Sequence, residues 1–334
     1  MISRFTIRTL LTLSMSVCYC QIASAASLRP EPVGVRALGM GGAFSAVAAD
    51  ASAVYWNPGA LASLQRQELG AALADRFELG LRHQYLNYVL PVGDNHAIGF
   101  DWYNLGYDDS ELDADKNRLS FAYSYRNGIQ SLRPFIGNTA IGISGKYRSY
   151  NVGLDGSSVG KASGWGFDVG VLAPLPLGIR LGAVIQDVGG SNLGYEGGES
   201  EKVYSSQFRV GLSKKPIEGL TMGIDWSADA LHVGSEYWLR GLLALRAGIS
   251  TDLDTPETFA DATTKTYGFG VKYRFAQFDY AYESHPLLSP THYTSLSLAY
   301  NPRVVNIKDT TIRPNPIFRS LYPHYQENDF FDVV

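Results

Sequence analysis

Along much of the chain apolar and polar positions alternate with a period of two. From Trp165 to Ala173 the odd positions read Trp, Phe, Val, Val and Ala, against Gly166, Asp168, Gly170 and Leu172. From Tyr267 to Phe275 they read Tyr, Phe, Val, Tyr and Phe, against Gly268, Gly270, Lys272 and Arg274. Phe278, Tyr280 and Tyr282 alternate with Asp279, Ala281 and Glu283, and Leu119, Phe121, Tyr123 and Tyr125 with Ser120, Ala122, Ser124 and Arg126. Successive side chains of a strand point to opposite faces, so each segment has one apolar face and one polar or small face. The pattern predicts about fourteen strands. Their spans are 67–74, 82–90, 96–105, 117–126, 138–150, 162–173, 178–187, 204–213, 219–228, 232–240, 241–250, 265–275, 276–284 and 292–300. Most are close to the ~9–11 residues a tilted strand needs to cross a bilayer, and single-chain bacterial barrels have an even strand number.

A soluble β-sandwich alternates in the same way, so the connections decide. Pro91-Val92-Gly93-Asp94-Asn95 and Pro174-Leu175-Pro176-Leu177 are short, and the strands meeting at 240–241 and 275–276 nearly touch. The other connections, 106–116, 151–161, 188–203 and 251–264, are longer and polar. Long and short largely alternate, the barrel pattern of outer loops and periplasmic turns, with 127–137 a long inner turn and 229–231 a short outer loop. Asp101, Lys146, Arg148, Asp168, Arg180, Asp225, Arg246, Lys272, Arg274, Asp279 and Glu283 fall on the faces opposite the aromatic and aliphatic ones. A charge on the lipid face near the midplane costs ~2–4 kcal/mol. These side chains are therefore expected in the lumen, where both signs pair as structural cross-links. Trp102, Tyr125, Trp226 and Trp238 sit near strand ends and suit interfacial girdles.

Composition narrows the class further. Charged residues are 18% of 334, below the usual quarter, while Gly (35) and Tyr (21) are abundant. The net charge of −4 gives no footprint for nucleic acid. The start of the chain reads as a secretory signal peptide over residues 1–25. Arg4 and Arg8 lead, Thr9 to Ile22 is largely apolar, and Ala23-Ser24-Ala25 offers a cleavage site. Cys18 and Cys20 lie inside it, without the small residue that precedes a lipoprotein cysteine, so the remainder has no thiol for a disulfide or a metal. Beyond the leader no stretch reaches 18 consecutive apolar residues, which leaves a closed β-barrel as the way into a bilayer.

Residues 26–66 precede the first strand and are rich in small side chains. Gly39, Gly41 and Gly42 permit close backbone approach or φ > 0. Ala43 to Ala49 is expected to form a short slim helix, and Asn57-Pro58 an N-cap with proline at N1 that starts a second one through Leu64. Such a segment suits a plug folded inside a barrel. A dinucleotide site fails on context, since Gly39-Met40-Gly41-Gly42 lacks the third glycine and no βαβ unit surrounds it.

GVRALGMGGAFSAVAADASAVYWNPGALA resembles the amino-terminal signature of the PorV/PorQ family, which is related to FadL-type outer-membrane proteins. The match runs through Gly34, Arg36, Ala37, Gly39, Met40, Gly41, Gly42, Ala43, Phe44, Asp50, Trp56, Asn57, Pro58 and Leu61. Ala51 replaces a second Asp, and Gly59-Ala60 inverts the usual order. Glu236-Tyr237-Trp238 and the segment Leu243 to Gly248 are similar to a late-barrel stretch of the family. The resemblance implies a FadL-like outer-membrane barrel of fourteen strands over 67–300, periplasmic chain ends and a plugged lumen. FadL-type members pass hydrophobic molecules through a lateral opening, whereas PorV-type members bind exported proteins in type IX secretion.

Residues 301–334 contain four prolines and no sustained alternation, and read as a periplasmic tail, either flexible or an arm for a partner. Catalysis has little support. The histidines form no i, i+4 pair and no G-x-S-x-G occurs. Asp108, Asp109, Glu111, Asp113 and Asp115 lack the turn glycine of a Ca²⁺ loop and read as a solvated acidic loop. The expectation is a non-enzymatic barrel without metal or cofactor, in contact with outer-membrane lipid. The first reading is a secretion or surface-assembly subunit that binds a protein through its outer loops or tail. The alternative is a transporter for a hydrophobic ligand such as a long-chain fatty acid.

Overall fold

The computed structural model describes residues 31–109, 112–127, 138–155, 157–198, 200–253 and 263–300. The signal peptide, most of the 127–137 turn, Glu111, much of the 251–264 connection and the 301–334 tail lie outside the described residues.

Sixteen strands form one antiparallel sheet. They are β1 (Gln67–Arg76), β2 (Leu81–Val92), β3 (His96–Asp108), β4 (Leu112–Arg126), β5 (Ala140–Leu154), β6 (Ser157–Pro174), β7 (Ile179–Gln186), β8 (Ser191–Tyr195), β9 (Ser200–Tyr204), β10 (Gln207–Lys214), β11 (Leu220–Ser227), β12 (Ala230–Leu239), β13 (Leu243–Asp252), β14 (Thr263–Tyr273), β15 (Ala276–Glu283) and β16 (Thr291–Tyr300). Fourteen of them close into a barrel, β16 pairing with β1 from Gln67↔Tyr300 to Asp75↔His292. The end where β1 starts and β16 stops is called the inner end below.

β8 and β9 are the departure from fourteen. They pair with each other, and their ladder to the wall is the short Ala162↔Tyr195 and Ser163↔Gly194 pairing with β6. The polar 188–203 segment is thus a hairpin, with Ala162, Leu193 and Tyr204 buried beneath it as a small core of its own. The wall is also taller than expected on one side. β4 and β5 have 15 residues and β6 has 18, beyond the ~9–11 that span a bilayer. The segments 106–116 and 151–161 are therefore mostly paired strand, and Asp108, Asp113 and Asp115 sit in the β3–β4 ladder instead of in an acidic loop.

The alternation sorts as the physics of lipid requires. Leu73, Phe121, Ile143, Trp165, Phe167, Tyr267 and Leu296 are exposed on the outside of the wall, and Trp226 joins them at an outer strand end. Two positions depart from the sequence reading. Trp238 shares the inward parity of Gly234 and Glu236, and the Arg246 guanidinium lies 5.8 Å from its ring centroid. Arg274 is no lumen residue, because β14 ends at Tyr273 and Arg274 forms the turn to β15 at φ 55, over the Tyr273 ring.

Inside the barrel lie α1 (Val35–Gly39), α2 (Ala53–Trp56) and a 3-10 helix (Pro58–Ser63). Ala43 to Ala49 is no helix. It makes one turn, Val47 and Ala48 donating to the Phe44 carbonyl, because the next carbonyls, of Ser45, Ala46 and Val47, accept from the Asn57, Ser213 and Arg180 side chains instead of from a further helical turn. Asn57 accepts the Gly59 N–H at 3.0 Å with Pro58 next, but the helix it caps is 3-10.

Candidate functional site

The front segment is seated against a belt of wall glycines. Gly142 on β5, Gly170 on β6, Gly182 on β7, Gly223 on β11, Gly234 on β12 and Gly248 on β13 each face it so closely that a Cβ would overlap its atoms. At Gly223 that Cβ would come within 2.9 Å of the Ala43 carbonyl oxygen. Gly142 lies opposite Gly170, and Gly223, Gly234 and Gly248 are successive cross-strand neighbours. The segment answers with glycines of its own. Gly41, at φ 64, would place a Cβ 2.7 Å from the Ile249 nitrogen, and Gly42 has φ 79. Only a bare backbone against a bare wall fits there.

Polar side chains of the wall then bind the backbone they face. The Asp225 carboxylate accepts the N–H groups of Phe44 (3.1 Å) and Ser45 (2.8 Å). Arg209 donates to the Gly42 carbonyl, Arg180 to Val47, Ser213 to Ala46 and Ser124 to Gly59. Asn57 works the other way, its amide donating to the carbonyls of Ser45 (2.8 Å) and Val171 (3.0 Å). Trp56 donates to Val33 and stands edge-on to Phe44.

Three groups of lumen charges stand out among the described residues. In the first, Arg36 of α1 grips Glu236 through two nitrogens at 2.7 Å and Asp50 at 2.9 Å, while Arg246 bridges Glu236 (2.8 Å) and Asp279 (2.7 Å). Burial alone would lower the Arg36 pKa, but Glu236 and then Asp50 outweigh it and hold the guanidinium more firmly protonated than usual. In the second, Lys146 bridges Asp168 (2.6 Å) and Asp187 (3.3 Å), and Arg148 takes Asp187 with both terminal nitrogens. Burial pushes the Asp187 carboxyl up, yet Lys146 and Arg148 keep it below the ordinary range. In the third, Asp101 meets Arg118 at 3.5 Å and the Tyr85 hydroxyl at 3.3 Å. Glu283 accepts the Tyr293 hydroxyl, and Lys272 lines a cavity near the inner end.

Glu236, Asp187, Arg118 and Arg209 were not among the sequence candidates. Glu236 had a signal, since it shares the parity of Gly234 and lies directly across from Arg246. Asp187 had none. It stands one residue past β7 and turns back over β6, its N–H donating to the Asp168 carboxylate. The β6–β7 ladder stops at Val169↔Ile185 although β6 continues outward to Ser157, and Asp187 with the Val188 N–H to Phe167 carbonyl bond fills the break.

A cavity and an ion-pair cluster flank the seated segment. Near the inner end a cavity of about 230 Å³ is lined by Arg36, Asp50, Arg66, Glu68, Lys272 and Asp279, together with apolar groups such as Val35, Ala72, Trp238 and Leu296. Towards the outer end Glu31 reaches Arg76 at 2.6 Å and Lys116 at 3.4 Å. Burial would raise the Glu31 pKa, but Lys116 and then Arg76 outweigh it and hold it low. Beside this pair His83 stands edge-on between Tyr103 and Tyr293, with centroids 5.1 and 5.3 Å away.

No protein-family model and no curated protein matches the sequence. Solved structures do match the fold. The CymD monoaromatic hydrocarbon channel superposes with a TM-score of 0.59 at 14% identity, over 81% of this chain and 98% of that one. A Pseudomonas aeruginosa FadL homologue gives 0.54 at 12%, over 83% and 100%. The Pseudomonas putida toluene transporter TodX gives 0.54 at 14%, also over 83% and 100%. The fold is that of FadL-like outer-membrane barrels.

Proposed function

We propose that the protein is an outer-membrane channel for a small hydrophobic molecule. The observation that carries this reading is the closed fourteen-strand wall with the chain's own front segment in its lumen, superposable over 81–83% of its length on hydrocarbon channels and a FadL homologue. The interior supports a sideways exit over an axial one. The inner end holds the seated segment and the Arg36 charge network, neither of them a medium for an apolar solute. The wall pairing is interrupted between β6 and β7 above Val169, beside lipid-facing Trp165 and Phe167. Asp187, held by Lys146 and Arg148, is the latch of that break.

A second reading keeps one observation in its favour. The tall β4–β6 wall and the β8–β9 hairpin raise a surface beyond the bilayer, which suits the partner-binding role that the front signature resembles. One comparison separates the two. Proteoliposomes carrying the full chain should take up radiolabelled toluene several-fold faster than protein-free vesicles, and removal of β8–β9 or of residues 303–334 should spare that uptake. Background-level uptake by a folded, heat-modifiable barrel, with an exported protein retrieved only when those segments are present, would overturn the channel in favour of the partner-binding subunit.

A further inference from the structure

The carboxylate in the outer lumen comes from the chain that leads into the seated segment, whereas the cations that grip it belong to the wall. Arg76 is the last residue of β1 and Lys116 lies in β4. We propose that Arg76, Lys116 and the ring cluster of His83, Tyr103 and Tyr293 form a binding site for an aromatic carboxylate, in which Glu31 stands as a tethered surrogate. The proposal deepens the channel reading by naming a substrate class, and rests on that reading for the direction of passage but not for binding.

Three features point to this chemistry. The first is charge. Two wall cations face the Glu31 carboxylate, and the neighbouring Arg118 is already matched by Asp101. The second is shape. Three rings in edge-on contact form a wall that offers a guest ring the T-shaped or offset geometry aromatic pairs prefer. The third is spare polar capacity. His83 is 2% exposed and Tyr103 1%, yet among the described residues both ring nitrogens of His83, the Tyr103 hydroxyl and the Arg76 Nε have no hydrogen-bond partner. Buried polar groups are ordinarily paired. A hydrocarbon guest would leave these groups unmet, while one bearing oxygen atoms would meet them, and such sites discriminate strongly for the oxygen. Residues 31–34 belong to no helix or strand, so removing Glu31 from the clamp breaks no regular backbone ladder.

The test uses the purified full-length barrel, with benzoate, acetate and toluene as probes in equilibrium dialysis, and heat modifiability on gels as the check of folding. Glu31→Gln removes the surrogate's charge while keeping its size. It should raise benzoate affinity at least tenfold, change toluene binding less than twofold and leave acetate weak. Adding Arg76→Gln should erase the gain. Benzoate binding indifferent to Glu31, a gain that survives Arg76→Gln, or acetate binding equal to benzoate would overturn the site. If Glu31→Gln fails to fold, Lys116→Gln serves in its place, with weaker benzoate binding expected and unchanged binding contradicting the proposal. Benzoate bound as expected by a barrel that passes no toluene sinks the channel reading and leaves the site standing. Toluene passage with benzoate indifferent to Glu31 does the reverse.

Discussion

Gly248 and Gly41 meet backbone to backbone, so a single methyl group at either position has nowhere to go. Gly248→Ala should cost about 1–3 kcal/mol or more by overpacking. It should appear as a lower temperature of heat modification, or as failure to assemble. Gly160→Ala, in the outer reach of β6 with nothing within 4 Å of its Cβ, is the matched control and should behave as wild type. Equal behaviour of the two variants would contradict the tight seat. A different residue-scale effect is expected at Glu236, which lies between the guanidinium groups of Arg36 and Arg246. Glu236→Gln removes the carboxylate the two guanidinium groups share, while Asp50 still matches Arg36 and Asp279 still matches Arg246, so chemical denaturation should show a loss of about 1.5–3 kcal/mol, that of charged hydrogen bonds. Strand parity makes much of this lumen legible. Asp101, Lys146, Arg148, Asp168, Asp225, Arg246 and Asp279 can all be assigned inward from the apolar face opposite them. Arg274 defeats that rule because parity has no meaning one residue past a strand end, and Trp238 because an aromatic near a strand end reads as girdle before its parity is counted.

At the scale of elements, period-two alternation suffices for the fourteen wall strands, since each has lipid on one side and lumen on the other. It says nothing reliable about segments beyond the bilayer. β8 and β9 have five residues each, with Gly197 and Gly198 in their turn, and their faces divide solvent from a small local core. The helices escape for a related reason. Ala43 to Ala49 has the composition of a helix, but its backbone partners lie on the wall, and no local propensity records them. The β6–β7 break yields a prediction of its own. Asp187→Ala removes the group held by Lys146 and Arg148 and should raise toluene uptake several-fold without loss of heat modifiability. Unchanged uptake would argue against an exit there. The pH dependence follows from the lowered Asp187 pKa. Its contribution is fully present above the ordinary carboxylate value of ~3.9 and is lost as pH falls through the lower folded value. Uptake should therefore be flat from pH 8 to pH 5, and rise only in strong acid, read as toluene flux across that range.

For the whole molecule, the two functional readings share one premise, that the front of the chain is folded inside a closed wall. The fold class was within reach of the sequence because strands with one apolar and one polar or small face can sit in a bilayer only as a closed wall. Function was less accessible. The front signature resembles a secretion family, whereas the superposable structures are hydrocarbon channels, and the residues that separate these roles lie at strand ends and on the segment before the first strand. The premise itself can be measured in one experiment. With the chain's two cysteines, Cys18 and Cys20, replaced by Ser, introduced thiols have no competitors. A Cβ built on Gly39 lies 3.6 Å from the Arg246 Cβ, and apart from the Arg246 side chain itself its nearest neighbour is the Gly268 Cα at 3.5 Å, so the pair falls inside the ~3.5–4.5 Å window of a disulfide without overlap. The double variant Gly39→Cys, Arg246→Cys, isolated in outer membranes under mild oxidant, should cross-link nearly completely, seen as a reductant-sensitive mobility shift on denaturing gels. No cross-link, with both thiols labelled by a membrane-impermeant maleimide as fast in the folded barrel as in the denatured chain, would place the front segment outside the lumen and contradict the structure described here.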